Sequence, residues 1–97
     1  RDPIEAVQGC DVVYTDAWTS MGQESERAVR IKDFDGFQVN PDLLERANRT
    51  AILMHPMPAH YGEEVPKGML DHSQSVAYKQ AFNRLHAQKA IISYLTS

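Results

Sequence analysis

The apolar run Ala51-Ile52-Leu53-Met54 passes directly into His55-Pro56-Met57-Pro58-Ala59-His60. The run reads as a buried strand of a parallel sheet, with His55 at its carboxyl end and two prolines fixing the backbone beyond it. In open α/β sheets that edge is where ligands bind. A second segment has the same form: Asp11-Val12-Val13-Tyr14-Thr15 is strand-like and delivers Asp16 into the loop that ends at Glu24. Two strand ends therefore present polar groups that can converge.

The segments between them alternate in type. Asp2 is a helix N-cap signal with Pro3 at the first helical position, and Gly9 closes a short helix before Cys10. Ala28, Val29, Ile31 and Phe34 recur among charges over residues 24–34, an amphipathic helical pattern that Gly36 would stop. Asn40-Pro41 repeats the cap signal ahead of a short helix over residues 42–47. Residues 62–72 read as loop with one helical turn, residues 75–78 as a last short strand, and residues 79–95 as the longest helix. Alternating strands and helices predict a small parallel sheet flanked by helices, an α/β fold of the Rossmann-like kind. The chain opens with its pattern already under way, so the expectation is part of a larger α/β domain.

Composition bounds the function. A net charge of −3 supplies no basic field for a phosphate backbone, and nucleic-acid binding is not expected. No apolar run approaches the roughly 20 residues that cross a bilayer, and the opening residues lack the apolar block of a signal peptide. With one cysteine, Cys10, there is no internal disulfide, and a reducing, cytoplasmic setting is the expectation.

Several side chains carry usable chemistry. His55 can donate to a developing oxyanion, act as a base or ligate a metal; its bland alternative is a strand-capping histidine. The histidines at 55, 60, 72 and 86 match no zinc spacing, so no metal is expected, and the scattered glycines make no phosphate cradle, so no cofactor is expected either. Asp16 with Ser20, Met21 and Gly22 can hold a zwitterion, carboxylate to ammonium and hydroxyl plus backbone N–H to carboxylate; an ordinary Asx turn is the alternative. Arg84 falls near the predicted start of the last helix, where a guanidinium and the positive dipole end can share an oxyanion. Most helix arginines are simply solvated.

Residues 13–24, Phe37-Gln38-Val39-Asn40, residues 54–65 and Asn83-Arg84-Leu85-His86-Ala87-Gln88 together resemble the ornithine-type members of the aspartate/ornithine carbamoyltransferase family. Four motifs in order over nearly the whole chain are far more specific than any one. The resemblance implies the latter part of an amino-acid-binding domain plus a terminal helix that packs on the family's other domain. It implies transfer of a carbamoyl group from carbamoyl phosphate to the side-chain amine of L-ornithine, giving citrulline and phosphate. Asp16 would pair with the α-ammonium, and Ser20 and Met21 would contact the polar head. His55 would hydrogen-bond the carbonyl oxygen of carbamoyl phosphate, Pro56 and Met57 would line the site, and Arg84 would reach carbamoyl phosphate.

Two departures from the pattern matter. The ornithine-type enzymes carry Cys after this histidine, whereas Pro56 gives the aspartate-type form; Ser20-Met21-Gly22 is nonetheless the ornithine-type loop. The family's carbamoyl-phosphate loop and its His-Pro-x-Gln segment do not occur here, so the chain alone is expected to be inactive. An aspartate or other amine acceptor, and a non-catalytic binding or assembly module, are the alternatives. The resemblance also implies trimers built through the carbamoyl-phosphate domain.

Overall fold

The two predicted strand ends lie side by side. In a computed structural model that describes residues 2–97, β1 (Val12–Tyr14) pairs in parallel with β2 (Ile52–Met54), in the register Val12 to Ile52, Val13 to Leu53 and Tyr14 to Met54. The ladder continues one step, with Thr15 N–H donating to the Met54 carbonyl at 3.1 Å. Asp16 and His55 thus both follow the carboxyl edge of the sheet.

The helices form where local chemistry starts them. Asp2 Oδ1 accepts the Ile4 N–H at 2.9 Å and Pro3 opens α1 (Pro3–Val7). Helix α2 (Arg27–Asp33) is preceded by a 3₁₀ turn over Glu24–Glu26, so the single helix expected from residue 24 starts late, without a side-chain cap. In α3 (Pro41–Glu45), Asn40 Oδ1 caps the Leu43 N–H at 2.8 Å, and Leu43 and Leu44 are buried. Asn40→Ala is expected to lower stability by about 1 kcal/mol in urea unfolding, because it orphans that donor.

Val7, Val13, Val39, Leu43, Leu44, Leu53, Val65 and Met69 form the core, so both strands, α1, α3 and the loop after β2 close on one centre. Helix α4 (Ala77–Thr96) buries only Ala77, and Phe82, Leu85, Ile91, Ile92 and Leu95 stay exposed.

The expected third strand over residues 75–78 is reduced to a bridge. Leu53 N–H donates to Gln74 O at 2.9 Å and Val76 N–H to Leu53 O at 3.0 Å, but Gln80 N–H claims the Val76 carbonyl at 2.8 Å and turns the chain into α4. The helix wins that acceptor and the strand ends. The architecture is α/β, a small parallel sheet flanked by helices, in the Rossmann-like manner. No helix among the described residues is long and apolar enough to cross a membrane.

Candidate active site

Beyond β2 the chain turns around His55, whose side chain is fully buried. Met57 N–H donates to Nδ1 at 2.8 Å, so the ring proton sits on Nε2, which donates to Glu64 Oε1 at 2.8 Å. The same Glu64 oxygen accepts the His60 N–H at 2.8 Å. A neutral imidazole is thereby fixed between a backbone amide and a buried carboxylate. Met57, which it holds, has φ 64°, a left-handed conformation that costs a non-glycine residue about 1–3 kcal/mol and that clusters at functional sites. Its peptide to Pro58 is cis.

This geometry bears on the donor role expected for His55. A hydrogen bond to a substrate carbonyl needs a free ring N–H, and in this arrangement neither nitrogen is free. What the imidazole does here is shape the backbone of residues 55–60.

Glu63, beside Glu64, takes the Arg27 guanidinium as a fork, Nε to Oε1 at 3.2 Å and Nη2 to Oε2 at 3.3 Å. Arg30 Nη1 donates to the Trp18 carbonyl at 2.9 Å. Both arginines of α2 therefore tie the loop after β1 to the loop after β2. His60, Glu63 and Glu64 bring one potential metal-ligand atom each within 4.8 Å of one another. Those carboxylates already serve Arg27, His55 and His60, and a cation there would compete with a guanidinium.

The loop after β1 holds itself together. Asp16 is exposed, and its Oδ1 accepts the N–H of the next residue, Ala17, at 2.7 Å, whereas an Asx turn would take the N–H two residues on. Ser20 N–H donates to Gln23 Oε1 at 3.3 Å and Gly22 N–H to Glu24 Oε1 at 3.1 Å. Gly22 has φ 89°, which suits glycine. The backbone N–H groups of Glu24 and Gly22 hold the Glu24 carboxyl below the usual glutamate range. An incoming carboxylate would have to replace that side chain on the Gly22 amide. Met21 is 95% exposed.

Two cavities frame these residues. The larger, about 780 Å³, lies between the sheet edge and α4, and puts Pro56 and Arg84 in one space with Tyr14, Met54 and Gln80. The smaller, about 140 Å³, joins Ser20 and Met21 to Thr19, Arg27, His60 and Glu63. Asp16 lies on the chain between Tyr14 of the first and Thr19 of the second. Arg84 is not at the helix start, because α4 begins at Ala77, and a dipole effect fades beyond the first turn. Its guanidinium lies beyond the reach of that dipole. Sequence reasoning missed Glu64 and Gln80 as partners of His55. The i, i+4 spacing of Gln80 and Arg84 was the available signal, since it places both on one helix face.

Residues 1–95 match the family model for the aspartate/ornithine carbamoyltransferase Asp/Orn binding domain. The chain belongs to the aspartate/ornithine carbamoyltransferase family. Among the relatives of this chain, an ornithine carbamoyltransferase of Oceanobacillus iheyensis is 56% identical over 94 residues, 97% of this chain and 29% of that protein. The solved ornithine carbamoyltransferase of Pyrococcus furiosus superposes with a TM-score of 0.84 at 52% identity, covering 95% of this chain and 29% of that one. The anabolic enzyme of Campylobacter jejuni gives 0.89 at 41% identity, covering 98% and 31%. The chain thus spans about three tenths of the length of these relatives.

Proposed function

We propose that this chain is the amino-acid-binding half of an enzyme that transfers the carbamoyl group of carbamoyl phosphate to the side-chain amine of L-ornithine, giving citrulline and phosphate. The observation that carries the reading is the juxtaposition of Pro56 and Arg84 across one cavity, beside a strand end that leads through Asp16 to Ser20-Met21-Gly22, in a chain more than half identical to an ornithine carbamoyltransferase. The reaction forms a C–N bond, expels phosphate by breaking the C–O bond, and releases one proton from the amine.

Three physical demands follow. A lysine-like amine has a pKa near about 10.4 in water, so the closed site must desolvate or deprotonate it before attack. The exposed Asp16 carboxylate pairs with the α-ammonium, while Ser20 and Met21 take the amino-acid head. Arg84, across the cavity from Pro56, stabilises charge on carbamoyl phosphate and its developing oxyanion. His55 contributes by fixing the backbone of Pro56 and Met57; for its ring to reach the carbonyl, Nε2–H would have to leave Glu64. Holding both substrates in line supplies much of the remaining acceleration.

The partner in this reading is a carbamoyl-phosphate-binding domain, covering the apolar side chains that α4 leaves exposed, with assembly into trimers through that domain. These 97 residues alone are expected to show no turnover. A second reading, aspartate as the acceptor, is favoured by Pro56. The deciding assay supplies carbamoyl phosphate with ornithine or aspartate to the complete polypeptide that carries these residues. Citrulline is the expected product; carbamoyl-aspartate would transfer the reading to aspartate, and no product with either would leave a binding or assembly module.

A further inference from the structure

We infer that Gln80 is a positioning residue for the proposed transfer, locking the helix that carries Arg84 to the backbone of the strand end that carries Pro56. The inference rests on the functional reading above. In a continued parallel ladder the His55 N–H would follow Leu53 and donate to the Val76 carbonyl. That carbonyl is taken, because Gln80 N–H uses it at 2.8 Å to start α4. The side chain of the same residue makes good the loss: Gln80 Oε1 accepts the His55 N–H at 3.0 Å. Its Nε2 donates to Tyr14 Oη at 3.4 Å, a long bond that reaches the last residue of β1.

One half-buried residue thus ends the third strand and starts the helix through its backbone N–H, and holds both strand ends through its side chain. The consequence for chemistry follows from helix geometry. Residues four apart share a face, and Gln80 and Arg84 both line the cavity of about 780 Å³ with Tyr14, Met54 and Pro56. If the Gln80 contact is lost, α4 can shift against β2, and Arg84 moves relative to Pro56. A misplacement of about 1 Å at a reacting centre can cost up to roughly 100-fold in rate.

The test compares Gln80→Ala and Gln80→Glu with the unaltered sequence in the complete polypeptide. Alanine suits a helix, so α4 is retained, but it removes the acceptor. A glutamate oxygen still accepts the His55 N–H. We expect Gln80→Ala to lower kcat by about 10-fold or more and to raise the KM for carbamoyl phosphate while leaving that for the amine near its original value. Gln80→Glu should keep the His55 amide bonded, while its carboxylate, four residues before Arg84 on the same face, should still weaken carbamoyl phosphate binding. Hydrogen exchange at the His55 amide should be slow in the unaltered protein and in Gln80→Glu, and fast in Gln80→Ala. An active unaltered enzyme whose Gln80→Ala variant turns over equally well, or keeps the His55 amide protected, overturns the inference alone. An unaltered enzyme that carbamoylates no amine overturns the functional reading first, and the catalytic part of this inference with it.

Discussion

Glu64→Ala should destabilise the protein by about 3 kcal/mol, the largest single-residue stability loss expected outside the apolar core. Glu64 is fully buried, and one of its oxygens serves two donors, His55 Nε2–H and His60 N–H. Removing it leaves both donors unsatisfied, at about 1–3 kcal/mol each, in a fold whose net stability is typically about 5–15 kcal/mol. Glu64→Gln keeps an acceptor oxygen in the same place and should lose much less. Arg27→Ala is the contrasting control. It breaks the bond to Glu63, but the Arg27 side chain is 59% exposed, and such pairs contribute about 0–1 kcal/mol. Urea unfolding of the three variants checks the order; a Glu64→Ala protein as stable as Arg27→Ala would mean that the buried carboxylate braces nothing.

That contrast shows what a sequence can display. The caps at Asp2 and Asn40 were legible because each is a local bond between a side chain and an amide two or three residues on. The strands were legible from short apolar runs, and their common edge followed from the parallel sheet. The third strand was not, since its fate turned on whether the Val76 carbonyl went to His55 or to the backbone of Gln80, a contest between segments far apart in the chain. The same holds for the site. Asp16 follows the end of β1, Ser20 lies in the loop after it, and Pro56 and Arg84 line one cavity, but Arg84 stands inside α4 and not at its start. Burial of His55 depends on a carboxylate nine residues away and in no periodic relation to it. The start of α4 at Ala77, rather than at Lys79, then takes Arg84 further from the helix dipole.

The position of Arg84 makes its effect on rate the most decisive of the site predictions. In the proposed transfer, because the helix start lies well behind it, the guanidinium would supply the favourable electrostatics through its own charge and fixed donors. It is exposed in this chain, yet lines a cavity shared with Pro56, which, in the proposed function, a carbamoyl-phosphate-binding domain would close from water. Donors aimed at a developing oxyanion in a closed site are commonly worth about 100- to 1000-fold in kcat. Arg84→Ala in the complete polypeptide is therefore expected to lower kcat/KM by about 100-fold or more, with carbamoyl phosphate binding weakened and unfolding nearly unchanged, since no hydrogen bond or ion pair among the described residues is lost. Arg84→Lys should recover only part, because an ammonium restores the charge but not the planar fork. Steady-state kinetics with carbamoyl phosphate as the varied substrate measures both. If alanine leaves kcat/KM within a few-fold of the unaltered enzyme, Arg84 is one of the many solvated helix arginines, and the donors for the oxyanion come from the other domain.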